Sequence, residues 1–168
     1  DVYDGLPAGE LRRLALERWQ DCAVAAPASD EVVVLECCFL QNPFVALMGR
    51  HDRPADEVRE HVRAIAEIIR PLRPKLVYLY RPDVAETLER ARRVRPERWS
   101  RRVIAYLVEQ GYGRRAGLSG WAGVIAFFEM AQAVQLELLD ALPLASLVAD
   151  NSQGDWELLH AKINVFLG

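Results

Sequence analysis

Glu31-Val32-Val33-Val34-Leu35-Glu36 is the stretch on which the reading of the fold turns. Four apolar residues in a row, three of them β-branched, lie between acids and follow the turn-forming Pro27-Ala28-Ser29-Asp30. A half-buried antiparallel strand would alternate apolar and polar residues. An unbroken run predicts instead a parallel strand buried on both faces.

Outward from that run, the other elements alternate in type. Upstream, Pro7 with Leu11, Leu14, Ala15 and Trp19 predicts an amphipathic helix closing near Cys22. Downstream, Val58, Val62, Ile65 and Ile69 recur at helical spacing between Pro54 and Pro71, a helix over 54–70. Lys75-Leu76-Val77-Tyr78-Leu79-Tyr80 is a second buried strand, and Asp83 with Glu86 forms the capping box of the next helix. Pro96 opens a helix carrying Trp99, Val103, Tyr106 and Leu107, which Gly111-Tyr112-Gly113 ends before a loop from Arg114 to Gly117. Ser119 caps a long helix whose inner stripe is Val124, Phe127, Phe128, Ala131, Val134 and Leu138. Leu144–Ala149 is a third short strand, and Asp155 caps a last helix with Trp156, Leu159, Ile163 and Phe166 on one face.

Strands alternating with helices predict an α/β fold, a three-layer parallel sheet flanked by helices, as a single domain over 1–168. Three strands are thin beside the roughly five of a usual doubly wound sheet, so the pattern reads as lacking its first strand or strands.

Composition narrows the class. With 168 residues and 51% hydrophobic content, one core is expected. A net charge of -3 argues against duplex nucleic acid as main partner. Cys22, Cys37 and Cys38 show no zinc spacing and fit a reducing, cytoplasmic setting. No apolar run approaches the ~20 residues of a membrane span, and no leader pattern opens the sequence. Oligomeric state is open, a homodimer included.

Two stretches resemble P-loop kinases of the thymidylate kinase and shikimate kinase kind. Arg73-Pro74-Lys75-Leu76-Val77-Tyr78-Leu79, followed by Arg81-Pro82-Asp83 and a helix rich in arginine, is similar to the family's penultimate core strand leading into the lid. Val32 to Asn42 is similar to a strand and Glu-x-x-x-Leu-Gln-Asn turn in a set of uncharacterised P-loop proteins, which also carry Asp-Asn-Ser and Trp elements matched by Asp150-Asn151-Ser152 and Trp156. The resemblance implies the carboxyl-terminal two thirds of a P-loop kinase-like domain, with a lid over about 92–118. It implies ATP, Mg²⁺ and phosphoryl transfer to a small-molecule acceptor: a nucleotide, a nucleoside or another alcohol.

Two departures limit that implication. Cys37 stands where thymidylate kinases carry an acceptor-binding arginine, and no G-x-x-x-x-G-K-[ST] occurs anywhere in the chain. Either the phosphate-binding segment lies outside these residues, or the chain is a non-catalytic nucleotide- or protein-binding α/β module. A GTP-hydrolysing switch lacks its Asn-Lys-x-Asp element.

The candidate residues follow from phosphoryl-transfer chemistry. Glu36, at the end of its strand, is placed to hold a Mg²⁺-bound water or to deprotonate an acceptor hydroxyl, or simply to cap the turn. Gln41 and Asn42 offer amides to a base or sugar edge, and Arg50 a guanidinium to an anionic acceptor. Arg90, Arg93 and Arg95 fall nearest the lid positions, where planar donors neutralise a transferring phosphoryl group. Asp150, Asn151 and Ser152 correspond to the loop against adenine. His51 reads as a solvated loop residue, and His61 and His160 lack partners at ligand spacing.

Overall fold

The computed structural model describes residues 5–26 and 32–168. Helix α1 (Ala8–Ala25) is followed by a short helical turn α2 (Gln41–Pro43) that continues into a π-helical segment, Phe44–Arg50. Then come α3 (Ala55–Ile69), strand β1 (Lys75–Tyr80), α4 (Val84–Val94), α5 (Glu97–Leu107), α6 (Gly111–Arg115), α7 (Gly120–Asp140), strand β2 (Ala145–Asp150) and α8 (Trp156–Leu167).

The sequence places the boundaries of these elements well. Pro54 and Pro71 bracket α3, and the Asp83 carboxylate accepts the Glu86 N–H at 2.6 Å to start α4. Asp155 accepts the Leu158 N–H at 2.9 Å and starts α8 in the same way. The Glu86 side chain does not complete a box but pairs with Arg81 at 3.5 Å. Ser119 precedes α7 without a side-chain cap, and the expected loop at 114–117 is helical as far as Arg115.

The sheet is where the expectation fails. The described residues are 67% helical and hold only two strands, so the chain is not a three-layer parallel sheet flanked by helices. Strands β1 and β2 pair in parallel from Lys75 opposite Ala145 to Tyr80 opposite Asp150. The Val32–Glu36 run joins no ladder, and Val32, Val33, Val34 and Leu35 are 88, 55, 85 and 52% exposed rather than buried on both faces. Its preceding turn, 27–30, and Glu31 lie outside the described residues. The physical reason is that β-branched residues favour a strand only where a neighbouring strand and covering layers exist to pack against. β1 is also less covered than its sequence suggests, with Leu79 59% exposed.

A helical core carries the chain instead. One stripe of α3 (Val58, Val62, Ile65, Ala66, Ile69) meets α7 (Trp121, Val124, Phe127, Ala131, Leu138, Leu139) and Phe44, Leu47 and Met48 of the π segment. Each of the Val, Leu, Ile, Phe and Met side chains withdrawn from water contributes about 1.5–3 kcal/mol. α7 is the one helix among the described residues long and apolar enough to cross a membrane by length and composition. That corrects the expectation of no such run, and its buried residues form this core. The two strands are seated at one end: Tyr78 Oη donates to Gln135 Oε1 of α7 at 2.8 Å, and the Lys75 ammonium donates to the Phe166 carbonyl, at the carboxyl end of α8, at 2.8 Å.

Candidate binding site

The π segment is the element that opens a site. Wider than an α-turn, it ends with the His51 N–H bonding back to the Ala46 carbonyl at 3.1 Å. Two glycines allow its position. A Cβ on Gly49 would stand 3.0 Å from Leu107 Cδ2 and 3.1 Å from Phe127 Cζ. Gly111 has φ 30°, and a Cβ there would stand 2.1 Å from the Arg50 carbonyl oxygen, so only glycine lets α6 sit against the end of the segment.

Between this segment, α1 and α3 lies a cavity of about 560 Å³, a size suited to a small organic molecule. Leu11, Ala15, Trp19 and Cys22 of α1 form one wall, and Pro43, Val45, Ala46 and Leu47 another. Ile65 and His61 of α3, Tyr106 of α5, and Leu35 and Cys38 of the connecting turn complete it. Its polar groups are few: Arg18, Asn42, Arg50, His51 and His61, besides the two thiols and the tyrosine. No Asp or Glu among the described residues lines it. The charges that face it are therefore positive.

Their environments sharpen that polarity. Arg50 lies over the Tyr106 ring, 5.8 Å from its centroid, which fixes the direction of the guanidinium. His61 is 3% exposed, and burial together with the Arg12 charge pushes its pKa down to about 4. Its Nδ1 has no hydrogen-bond partner among the described residues. The His51 pKa is lowered by burial and by Arg50 and Arg53, and its Nε2 is likewise buried without a partner. Both imidazoles are neutral at neutral pH, so the arginines supply the positive charge. Burial raises the Cys38 pKa, leaving a protonated thiol.

Of the residues expected from the sequence, Asn42 and Arg50 line this cavity and Gln41 is exposed beside Asn42. Glu36 is exposed at the rim, between the lining residues Leu35 and Cys38, and accepts a long contact from the Cys37 thiol at 3.7 Å. Cys37 holds φ 64°, the turn that brings Cys38 to the wall. Comparison with family models, with curated proteins and with solved structures gives no match.

The remaining expected residues are elsewhere. Arg90, Arg93 and Arg95 are exposed and do not line the cavity; Arg95 covers the Trp99 ring at 5.7 Å. The segment 92–118 expected as a lid contains α5, which packs on α7 through Trp99 and Trp121 at 5.8 Å. Asp150, Asn151 and Ser152 form a separate turn at the carboxyl end of β2. There Asp150 Oδ1 accepts the Ser152 N–H at 2.7 Å, which lowers its pKa, and the Asn151 N–H donates to the Tyr80 carbonyl at 2.9 Å. Among the described residues, no cluster of three or more His, Cys, Asp or Glu fits a metal.

Sequence reasoning missed Arg18, Trp19, His61 and Tyr106. His61 had a signal: it sits three residues after Val58 and next to Val62, a polar side chain on the inner stripe of α3.

Proposed function

We propose that this chain forms the acceptor side of a cytoplasmic phosphotransferase site, its cavity holding a small organic molecule that carries an anionic group. The observation that supports this reading is the cavity lining: Arg18 and Arg50, neutral His51 and His61, apolar and aromatic walls, and no carboxylate among the described residues. The half-buried Arg50 guanidinium offers planar donors to a phosphate or carboxylate, Arg18 stands exposed at the mouth beside Asp21 at 3.3 Å, and aromatic walls accept a planar body. Asn42 offers a donor and an acceptor to the same molecule. Glu36, at the rim, offers a carboxylate oxygen as hydrogen-bond acceptor to an acceptor hydroxyl.

Phosphoryl transfer with ATP and Mg²⁺ as donor side enters from the resemblance to P-loop kinases. The residues described here do not by themselves fit that donor side: the chain has no glycine-rich phosphate loop, and no metal-binding cluster exists among the described residues. No step is therefore assigned through ATP. Arg90, Arg93, Arg95 and the 150–152 turn lie away from the cavity and carry no role in this proposal.

Calorimetric titration with thymidine monophosphate, thymidine, phenyl phosphate and inorganic phosphate tests the reading. Saturable binding of an organic phosphate ester, weakened about 10- to 100-fold by Arg50→Ala, is expected, since a charged hydrogen bond contributes about 1.5–3 kcal/mol. Absence of binding by every probe, or binding indifferent to Arg50→Ala, rejects it.

A further inference from the structure

The most anomalous surface of the molecule is the unpaired Val32–Leu35 run. Its four residues have the strongest strand preference in the chain and are all more than half exposed. The same chain holds a second unsatisfied feature, the two-stranded sheet. β1 pairs only with β2 among the described residues, and Leu79 of β1 and Val148 of β2 are 59 and 44% exposed. A sheet this small is marginal in water, and its open edge presents unpaired N–H and C=O groups.

We infer that two copies of this chain associate by strand exchange, the Val32–Glu36 segment of one adding to the free edge of β1 in the other. Three observations favour a second copy over an unrelated partner. Both halves of the missing ladder, the unpaired segment and the free edge of β1, are present in every chain, so two copies satisfy each other reciprocally in a closed two-fold arrangement. The lengths agree, five residues against the six of β1. The charges agree as well: the segment ends in Glu36, while β1 begins with Lys75 and is followed by Arg81, so parallel addition sets Glu36 beside Arg81 at the carboxyl end. An apolar contact patterned in this way is read by backbone pairing and side-chain packing together.

The test combines light scattering with hydrogen exchange on the whole chain. Light scattering is expected to give twice the 19.0 kDa chain mass at micromolar concentration, with slowed exchange at amides 32–36 and along β1 that fades on dilution. Val34→Pro, which removes an N–H from a residue making no ladder contact within its own chain, is expected to give a 19.0 kDa monomer with unchanged circular dichroism and melting. Because exchange is read on the wild type, misfolding of that variant leaves the inference testable. A 19.0 kDa wild type at every concentration overturns it. So does concentration-independent protection of 32–36, meaning that the segment folds back within one chain, or a dimer in which amides 32–36 exchange freely.

Discussion

His61 makes the stability of this protein depend on pH in a calculable way. Its pKa stands at about 4 in the folded chain, against 6.5 for an ordinary histidine. Between those values the unfolded chain binds a proton that the folded chain refuses, so stability is greatest above pH 6.5 and falls as pH drops through 4. For this one group, going from pH 7.5 to pH 4.5 costs on the order of 2–3 kcal/mol, a large part of a typical stability of about 5–15 kcal/mol. Glu10, Glu57 and Asp150, whose pKa values are lowered by Arg13, Arg53 and the Ser152 N–H respectively, add an acid-side loss of the same sign but at lower pH. The comparison that isolates His61 is urea unfolding from pH 4.5 to 7.5 for wild type and His61→Leu. The leucine keeps the volume and removes a buried nitrogen that has no partner, so near pH 7 the variant is expected to equal or exceed the wild type. At pH 4.5 it is expected to lead by roughly a further 2–3 kcal/mol. Parallel pH profiles for the two proteins, or a histidine titrating near 6.5 in the folded wild type at this position, would show that His61 is not held neutral by burial.

Three further outcomes follow from the packing. Gly111→Ala forces a side chain into left-handed backbone against the Arg50 carbonyl and should cost about 2–4 kcal/mol by denaturant unfolding; a change under about 0.5 kcal/mol contradicts the close approach. Asp155→Ala removes the α8 cap and should cost about 1 kcal/mol, with faster hydrogen exchange confined to the first turn of α8. Phe44→Ala empties a fully buried ring site and should lower stability by about 3–5 kcal/mol; retention of wild-type stability would place Phe44 outside the core.

How much of this was legible in the sequence depends on whether the signal was local. Helix positions were, because α3, α5 and α7 carry period-3.6 stripes between prolines, glycines and caps. The positions of β1 and β2 were too, since each is a short apolar run after a turn. What local pattern does not carry is the number of partners a strand finds: Val32–Leu35 has the composition of a central strand and pairs with nothing among the described residues. The candidate site was half legible. Asn42 and Arg50 were singled out from residue chemistry beside a turn, and both line the cavity. Arg18 and Trp19 were not, because only the packing of α1 on α3, 35 or more residues away in sequence, turns that face of α1 into a wall. The arginines of 90–95 looked convergent in one dimension, yet a helix distributes them round its surface.

The cavity between α1, α3 and the π segment is the proposed place where a small anionic molecule binds. Nitrogen-15 chemical-shift mapping with phenyl phosphate, on wild type and on Ala15→Phe, which fills the cavity from α1 without altering charge, tests this directly. Saturable shifts confined to amides of 15–22, 35–51 and 61–65 are expected, and their loss in Ala15→Phe. Shifts centred on 150–156 or on the arginines of 90–95, or shifts that survive in Ala15→Phe, would contradict it.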